Sequence, residues 1–366
     1  MIVQTLCLSL AASLICATGV PKPAVKTGPA GQDVTPVHEI VRSTGPIHWT
    51  GNFKFDRAKD LSEKCNGLPV YRWAPDGQDP RGIVLAVHGL TLHGLSYEVL
   101  ARGFAAGGFV FVAPDMRGYG ANQEKDAPED LRKIDNEKSY QDIVKLAQAL
   151  NDQYGQDIPI AMLGESLGTS FCVRVAAEHH DLVDAVIVSA PTSRLSPVMY
   201  LAPSTIAEGF KAIFTPRHEM SYKVFFDRLV SNNELIRQEL DEDPLVLKRI
   251  PLQDLLETTS WVGKTDKWAR GIRRDTPILV LQGGGDKAMV PKAVTRLTRR
   301  IRSTDQTIRW ISGYGHLLLE TDYLGPPALD AITAFINDHS GQQQEIRREL
   351  YKEMKRFGAK ELPTSE

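Results

Sequence analysis

Residues 158–168 read Ile-Pro-Ile-Ala-Met-Leu-Gly-Glu-Ser-Leu-Gly, and this stretch decides the fold. The run from Ile158 to Leu163 is short and apolar, as a strand buried on both faces is. Gly164-Glu165-Ser166-Leu167-Gly168 breaks it, and a helical pattern follows from Thr169 to Glu178. This is the G-x-S-x-G arrangement, in which a sharp strand-to-helix turn pushes the serine hydroxyl out of the sheet. The glycines have a steric task, because on so tight a turn a side chain at 164 or 168 would collide with the neighbouring strand or helix. Alone the pentapeptide is a weak signal, since Gly and Ser are common, so its weight comes from the surrounding chain.

Outward from this turn the chain alternates. Ile47 to Phe55 and Pro69 to Ala74 read as two strands of an antiparallel edge, and Gly82 to Val87 is a near-continuous apolar strand. A helix from Ser96 to Ala106, a strand from Phe109 to Ala113 and a helix from Lys138 to Tyr154 precede the serine turn. In the last of these helices Ile143, Leu146, Ala147 and Leu150 share one face. The strand Val183 to Ser189 follows the turn. After Ala190-Pro191 the rhythm changes to a mostly helical pattern, rich in apolar residues such as Met199, Phe210, Phe226 and Trp261. It then resumes with a strand Pro277 to Leu281, a helix Pro291 to Ile301, a strand Thr307 to Ile311 and a helix Ala328 to Asn337. The pattern predicts an α/β fold, a mostly parallel doubly wound sheet with a helical lid insertion. Its core would span 46–192 and 276–340, and the lid 193–275.

A chain of 366 residues that is 42% hydrophobic can bury one large α/β core with an insertion. A net charge of −2 with mixed signs gives no reason to expect a nucleic-acid partner. Residues 1–20 carry no charge and read as a signal peptide or an N-terminal anchor, which predicts an exported protein, periplasmic or secreted, with possible membrane association there. No Lys or Arg precedes the apolar run and no clean A-x-A site follows it, so a cytoplasmic location stays open. Residues 21–45 read as a linker, and 341–366 as a charged C-terminal helix and tail. Of the cysteines at 7, 16, 65 and 172, two fall in the leader, so a disulfide framework is not expected.

A serine nucleophile needs a base in hydrogen-bond reach and an acid to orient that base. Loops at the carboxyl ends of parallel strands carry such sites. Asp286 follows its strand through Gln282-Gly283-Gly284-Gly285, and His316 follows the next through Ser312-Gly313-Tyr314-Gly315. Asp115 also follows a strand but lies before the serine, and we expect it to brace its loop through Arg117 and backbone groups. The strand before Ala190 ends without an acid. No pair of histidines or cysteines has metal-site spacing, and no cofactor is expected. His88 reads as a buried histidine bonded to backbone, while His93 and Tyr97 are candidates for the rim of a pocket. The peptide N–H groups of Leu90 and Leu167 are the natural pair for an oxyanion hole, since backbone donors are held in place before charge develops.

The chain resembles the α/β-hydrolase superfamily, most closely its monoacylglycerol lipase and lysophospholipase branch, also described as serine aminopeptidase-like. The resemblance covers roughly residues 67–340. It rests on His88-Gly89-Leu90, Ser96-Tyr97, Asp115-Met116-Arg117-Gly118-Tyr119-Gly120, the serine pentapeptide, Gly285-Asp286 and Gly315-His316. It implies the α/β-hydrolase fold, Ser166 as nucleophile, Asp286 as acid and His316 as base, in the order such enzymes use. It also implies a small-molecule ester or lipid substrate, such as a monoacylglycerol or lysophospholipid. The same three residues could instead serve amide, thioester or carbon–carbon cleavage, and a non-catalytic binding protein on this scaffold is the remote alternative. A peptidase taking free N-termini would place acids in its lid, where Glu208, Glu239, Asp241, Glu242 and Asp243 are available. Two departures stand out. Asn122 occupies a position where Ser is frequent, and Glu165 stands where His is common, able to tune the pocket's polarity or to bind Arg117.

Overall fold

The computed structural model describes residues 51–156, 158–193, 219–223, 233–289 and 291–339. The expected leader, linker and C-terminal segment lie outside the described residues, as do residues 194–218 and 224–232 of the expected lid. An antiparallel pair opens the fold, β1 (Phe53–Arg57) and β2 (Val70–Pro75), joined through the short helix α1 (Lys59–Lys64). The alternating part follows as β3 (Ile83–Val87), α2 (Glu98–Ala106), β4 (Val110–Pro114), α3 (Asn136–Tyr154), β5 (Ile160–Glu165), α4 (Leu167–Glu178) and β6 (Ala185–Ser189). The insertion contributes β7 (Glu219–Ser221), α5 (Glu234–Glu242), β8 (Arg249–Pro251), α6 (Leu252–Val262) and α7 (Thr265–Trp268). Then β9 (Ile278–Gly283), α8 (Pro291–Arg300), β10 (Gln306–Ile311) and α9 (Pro326–His339) complete the described chain.

The eight sheet strands run in the order β1-β2-β4-β3-β5-β6-β9-β10. β2 is antiparallel to β1 and β4, and every other pairing is parallel. From β3 the chain steps outward to β4, then returns to β5 and proceeds the other way. Such a reversal opens a crevice at the carboxyl ends of the two central strands. This is the doubly wound α/β sheet with inserted helical segments that the sequence predicts.

Strands covered on both faces lose the alternation of a half-exposed strand, and all five residues of β3 are buried. Alternate side chains still serve different layers. Ile83, Leu85 and Val87 join the core under α3, α4 and α8, while Val84 and Ala86 join the one under α2 and α9. Helix α3 starts where the Asp135 carboxylate accepts the Lys138 N–H, and it buries the expected face of Ile143, Leu146, Ala147 and Leu150. Cys65 and Cys172 are free and buried, and burial pushes the Cys65 thiol up to about 12, which makes it inert.

The insertion is less uniform than its sequence pattern suggests. β7 and β8 form a small antiparallel ribbon, Glu219 opposite Pro251 and Ser221 opposite Arg249. Three-residue strands are too short for periodicity to register. Trp261 packs into the main core against Phe171, Tyr140 and Trp268, with the Arg174 guanidinium over its ring. Among the described residues no helix is long and apolar enough to cross a membrane.

Candidate active site

Ser166 sits at φ 51° and ψ −115°, a conformation that costs a side-chain-bearing residue about 1–3 kcal/mol. Its neighbours over-determine it. The Ser166 N–H donates to Ser189 O at 2.9 Å, and its carbonyl accepts from Thr192 Oγ1 at 2.7 Å and Thr169 N at 3.1 Å. The flanking glycines behave as expected. A Cβ on Gly168 would lie 1.9 Å from the Val87 carbonyl oxygen at the end of β3, and one on Gly164 would lie 2.5 Å from Gly168. Helix α4 therefore starts at Leu167, packed directly against the neighbouring strand.

Asp286 and His316 arrive on the loops after β9 and β10. These loops touch because Gly283 has no side chain, since a Cβ there would fall 1.9 Å from Gly315 O. The Gly285 N–H bonds Tyr314 O at 2.8 Å and ties them together. Asp286 Oδ1 accepts from the N–H groups of Ala288 and Met289 at 2.8 and 3.0 Å. Its Oδ2 accepts from Gln282 Nε2 at 2.8 Å and from His316 Nδ1 at 2.9 Å. His316 Nε2 lies 2.8 Å from Ser166 Oγ. With Nδ1 donating to the carboxylate, Nε2 is left as the acceptor for the serine hydroxyl. The structure thus brings together three side chains that are 120 and 30 residues apart along the chain, Ser166 to Asp286 and Asp286 to His316.

The charges in this group work against burial. Desolvation pulls His316 toward the neutral form, but the Asp286 charge and hydrogen bond outweigh it and raise its pKa above 6.5. Burial likewise disfavours the Asp286 anion, and His316 with the Gln282 and backbone donors returns it below the usual value. A base must be neutral to accept a proton, so with His316 in that role activity is expected to fall as pH drops through its pKa. The acid limb of kcat/KM for ester hydrolysis is expected to have its midpoint above 6.5, measured from about pH 5 to about pH 9. A midpoint at or below 6.5 would contradict this electrostatic account.

Leu167 is the first residue of α4, so its peptide N–H has no intrahelical acceptor. Leu90 follows Gly89, whose own N–H is taken by Glu320 Oε1 at 2.7 Å. Gly89 packs against the serine, and a Cβ on it would stand 3.4 Å from Ser166 Cβ. His88 is buried and bonded as expected, its Nδ1 donating to Gly89 O and its Nε2 accepting the Met116 N–H. Burial pushes it down to about 3 and keeps it neutral.

Other expectations are revised. Asp115 braces its loop through the N–H groups of Gly94 and Ala121 and through the Tyr71 hydroxyl, while Arg117 pairs instead with Asp142 and Asp130. Asn122 steadies the same turn by donating to the carbonyls of Asp115 and Met116. Glu165 does not meet Arg117. It is buried, and accepts from the Ser189 hydroxyl and from the successive N–H groups of Leu318, Leu319 and Glu320. Tyr97 is buried and donates to Val87 O, so it forms no pocket rim. His93 is buried too, its Nε2 2.8 Å from Asp243 of the insertion.

Sequence reasoning missed Glu320 and Gln282. A lone acid closing the run Leu317-Leu318-Leu319 was the available signal for Glu320, because an acid inside an apolar run must find a buried partner. Gln282, inside a strand, carried none.

Residues 78–322 match the family described as "Serine aminopeptidase, S33". Over 248 residues the chain is 24% identical to monoglyceride lipase of Mus musculus, covering 67% of this chain and 78% of that protein. It is 25% identical to monoacylglycerol lipase of Mycolicibacterium smegmatis over 277 residues, 73% of this chain and 91% of the relative. Among solved structures, Paleococcus ferrophilus monoacylglycerol lipase superposes with a TM-score of 0.59 at 26% identity, covering 75% of this chain and 99% of that one. A soluble variant of monoglyceride lipase from Saccharomyces cerevisiae, bound to a substrate analogue, gives 0.63 at 20% identity, covering 80% and 96%, and speaks for the fold alone.

Proposed function

The chain belongs to the family described as "Serine aminopeptidase, S33", and from that premise we propose that it hydrolyses lipid-like carboxylic esters, monoacylglycerols or lysophospholipids, through Ser166. Serine-hydrolase chemistry on an α/β-hydrolase scaffold comes with the family. The carrying observation for the residues is His316, which bridges Ser166 Oγ at 2.8 Å and Asp286 Oδ2 at 2.9 Å. In this reading His316 takes the proton from Ser166 as the oxygen attacks the ester carbonyl carbon. The N–H groups of Leu90 and Leu167 hold the oxyanion. Collapse breaks the carbon–oxygen bond, and His316 returns the proton to the departing alcohol. Water then repeats the sequence on the acyl-enzyme and releases the acid.

Two observations favour an apolar ester over a peptide. First, an apolar cluster gathers beside the site. Leu92 of the oxyanion loop, Met289 after Asp286 and Leu317 after His316 join Ile236, Leu240 and Val246 of the insertion. Second, four of the insertion's acids that a peptidase could call on are engaged elsewhere. Glu239 accepts from the Thr321 hydroxyl and the Asp322 N–H, Asp241 binds Tyr222 and Lys223, and Asp243 binds His93. Glu242 accepts from Gln238 on the same helix, and Glu208 lies outside the described residues. Acids so occupied are poorly placed to receive a substrate ammonium group. The test is a substrate panel of p-nitrophenyl esters from acetate to palmitate, monoacylglycerols, lysophospholipids and aminoacyl anilides. We expect ester hydrolysis that includes the glycerolipids. Turnover confined to the anilides would overturn the reading.

A further inference from the structure

Glu320 is 1% exposed and takes no part in the proton transfers proposed above. Its backbone and side chain join three site loops. The Glu320 N–H donates to Glu165 Oε2 at 3.0 Å, alongside those of Leu318 and Leu319, which fixes the segment after His316 to the residue preceding Ser166. Its side-chain Oε1 accepts the Gly89 N–H at 2.7 Å. Its Oε2 is so close that a Cβ on Gly89 would lie 2.8 Å away, and that same Cβ would stand 3.4 Å from Ser166 Cβ. Gly89 thus packs against both the Glu320 carboxyl and the serine, with no room for a side chain, and the next peptide is that of Leu90.

We propose that Glu320 is a positioning residue for the oxyanion hole, its Oε1 holding the Gly89–Leu90 segment at the Ser166 turn. The inference rests on the reading of Ser166 and Leu90 under Proposed function. An oxyanion donor is effective because it is fixed before charge develops, and displacing it by a fraction of an ångström forfeits that advantage. The Leu90 peptide lies beyond the end of β3 at Val87; its carbonyl, that of Gly89, accepts from His88 Nδ1 and the Leu92 N–H, and the Glu320 Oε1 contact adds a fixed point on the preceding peptide. The charge state suits the task. Burial, reinforced by the neighbouring Glu165 carboxylate, raises Glu320 well above the usual carboxyl value, against the lowering effect of the Gly89 N–H and the Tyr97 hydroxyl. A neutral acid keeps its carbonyl oxygen as an acceptor without placing a negative charge beside the position where the substrate oxygen becomes negative. A carboxylate there would oppose the transition state it helps to align.

The experiment compares Glu320→Gln with Glu320→Met in the full chain, using p-nitrophenyl butyrate, with Ser166→Ala as reference. Met fills the buried slot without an acceptor, and Gln restores the acceptor without ionisation. We expect Glu320→Met to lower kcat about 100-fold with KM within about threefold of wild type. Glu320→Gln should restore kcat to within about threefold and keep the wild-type pH profile. A Met variant with unchanged kcat overturns the proposal, as does a Gln variant that loses kcat about tenfold or more. Should Glu320→Met not fold, the Gln variant still decides, because the proposal requires that a neutral acceptor suffice. Wild-type activity that survives in Ser166→Ala would instead overturn the assignment of the nucleophile, an outcome read on different protein.

Discussion

Ser166→Ala is expected to lower kcat for ester hydrolysis by about a million-fold while leaving the fold intact. The effect is large because nothing beside Ser166 can replace its oxygen. His316 Nε2 points at that oxygen and Asp286 is committed to His316, so removing the hydroxyl idles the whole relay. Residual rate enhancement over water of about 10³–10⁴ should remain from oxyanion stabilisation and substrate binding, as such machinery outlives its nucleophile. Stability should not fall with activity, since the turn at 166 is held through backbone groups bonded to Ser189, Thr192 and Thr169. The checks are single-turnover kinetics, labelling by a fluorophosphonate and thermal unfolding side by side. Persistent labelling, or ester turnover within about a hundredfold of wild type, in the alanine variant would remove Ser166 from the proposed role.

Asp286→Asn is expected to cost about 10⁴-fold in kcat with little change in KM, a result of tautomerism more than of shape. The N–H groups of Ala288 and Met289 both point at Asp286 Oδ1 and would claim the asparagine's carbonyl oxygen. The amide NH₂ would then face His316 Nδ1, which must become an acceptor. Its proton moves to Nε2, which now meets Ser166 Oγ with a donor where an acceptor is required. Gln282 can rotate its own amide to accept from the new NH₂, so folding should tolerate the change. Rates under about tenfold below wild type would show that Asp286 does not set the tautomer.

The fold was legible because its strands are long enough to register as apolar runs and its helices long enough to show a face. Ile83–Val87 and α3 are examples on both counts. Ser166, Asp286 and His316 were legible for another reason, since each follows a strand across glycines that only a crowded loop needs. The ribbon of Glu219–Ser221 and Arg249–Pro251 was too short to read. The partners of Arg117 and Glu165 were hidden because a long polar side chain can reach several elements, and packing alone decides which. Glu239 and Asp243 looked like free lid acids, and only tertiary contact turned them into struts between the insertion and the loops of Thr321 and His93.

Glu165 serves as acceptor for three consecutive peptide N–H groups in a segment more than 150 residues downstream. That makes position 165 and the stretch 318–320 a single unit of inheritance. A histidine introduced at 165 alone would strand those donors in the interior, so the exchange becomes viable only together with a redrawn downstream loop. Within the family, the identity of the residue before the serine should therefore co-vary with the sequence two to four residues beyond the histidine. Chimeras that cross over between the two should fail more often than those keeping both from one parent.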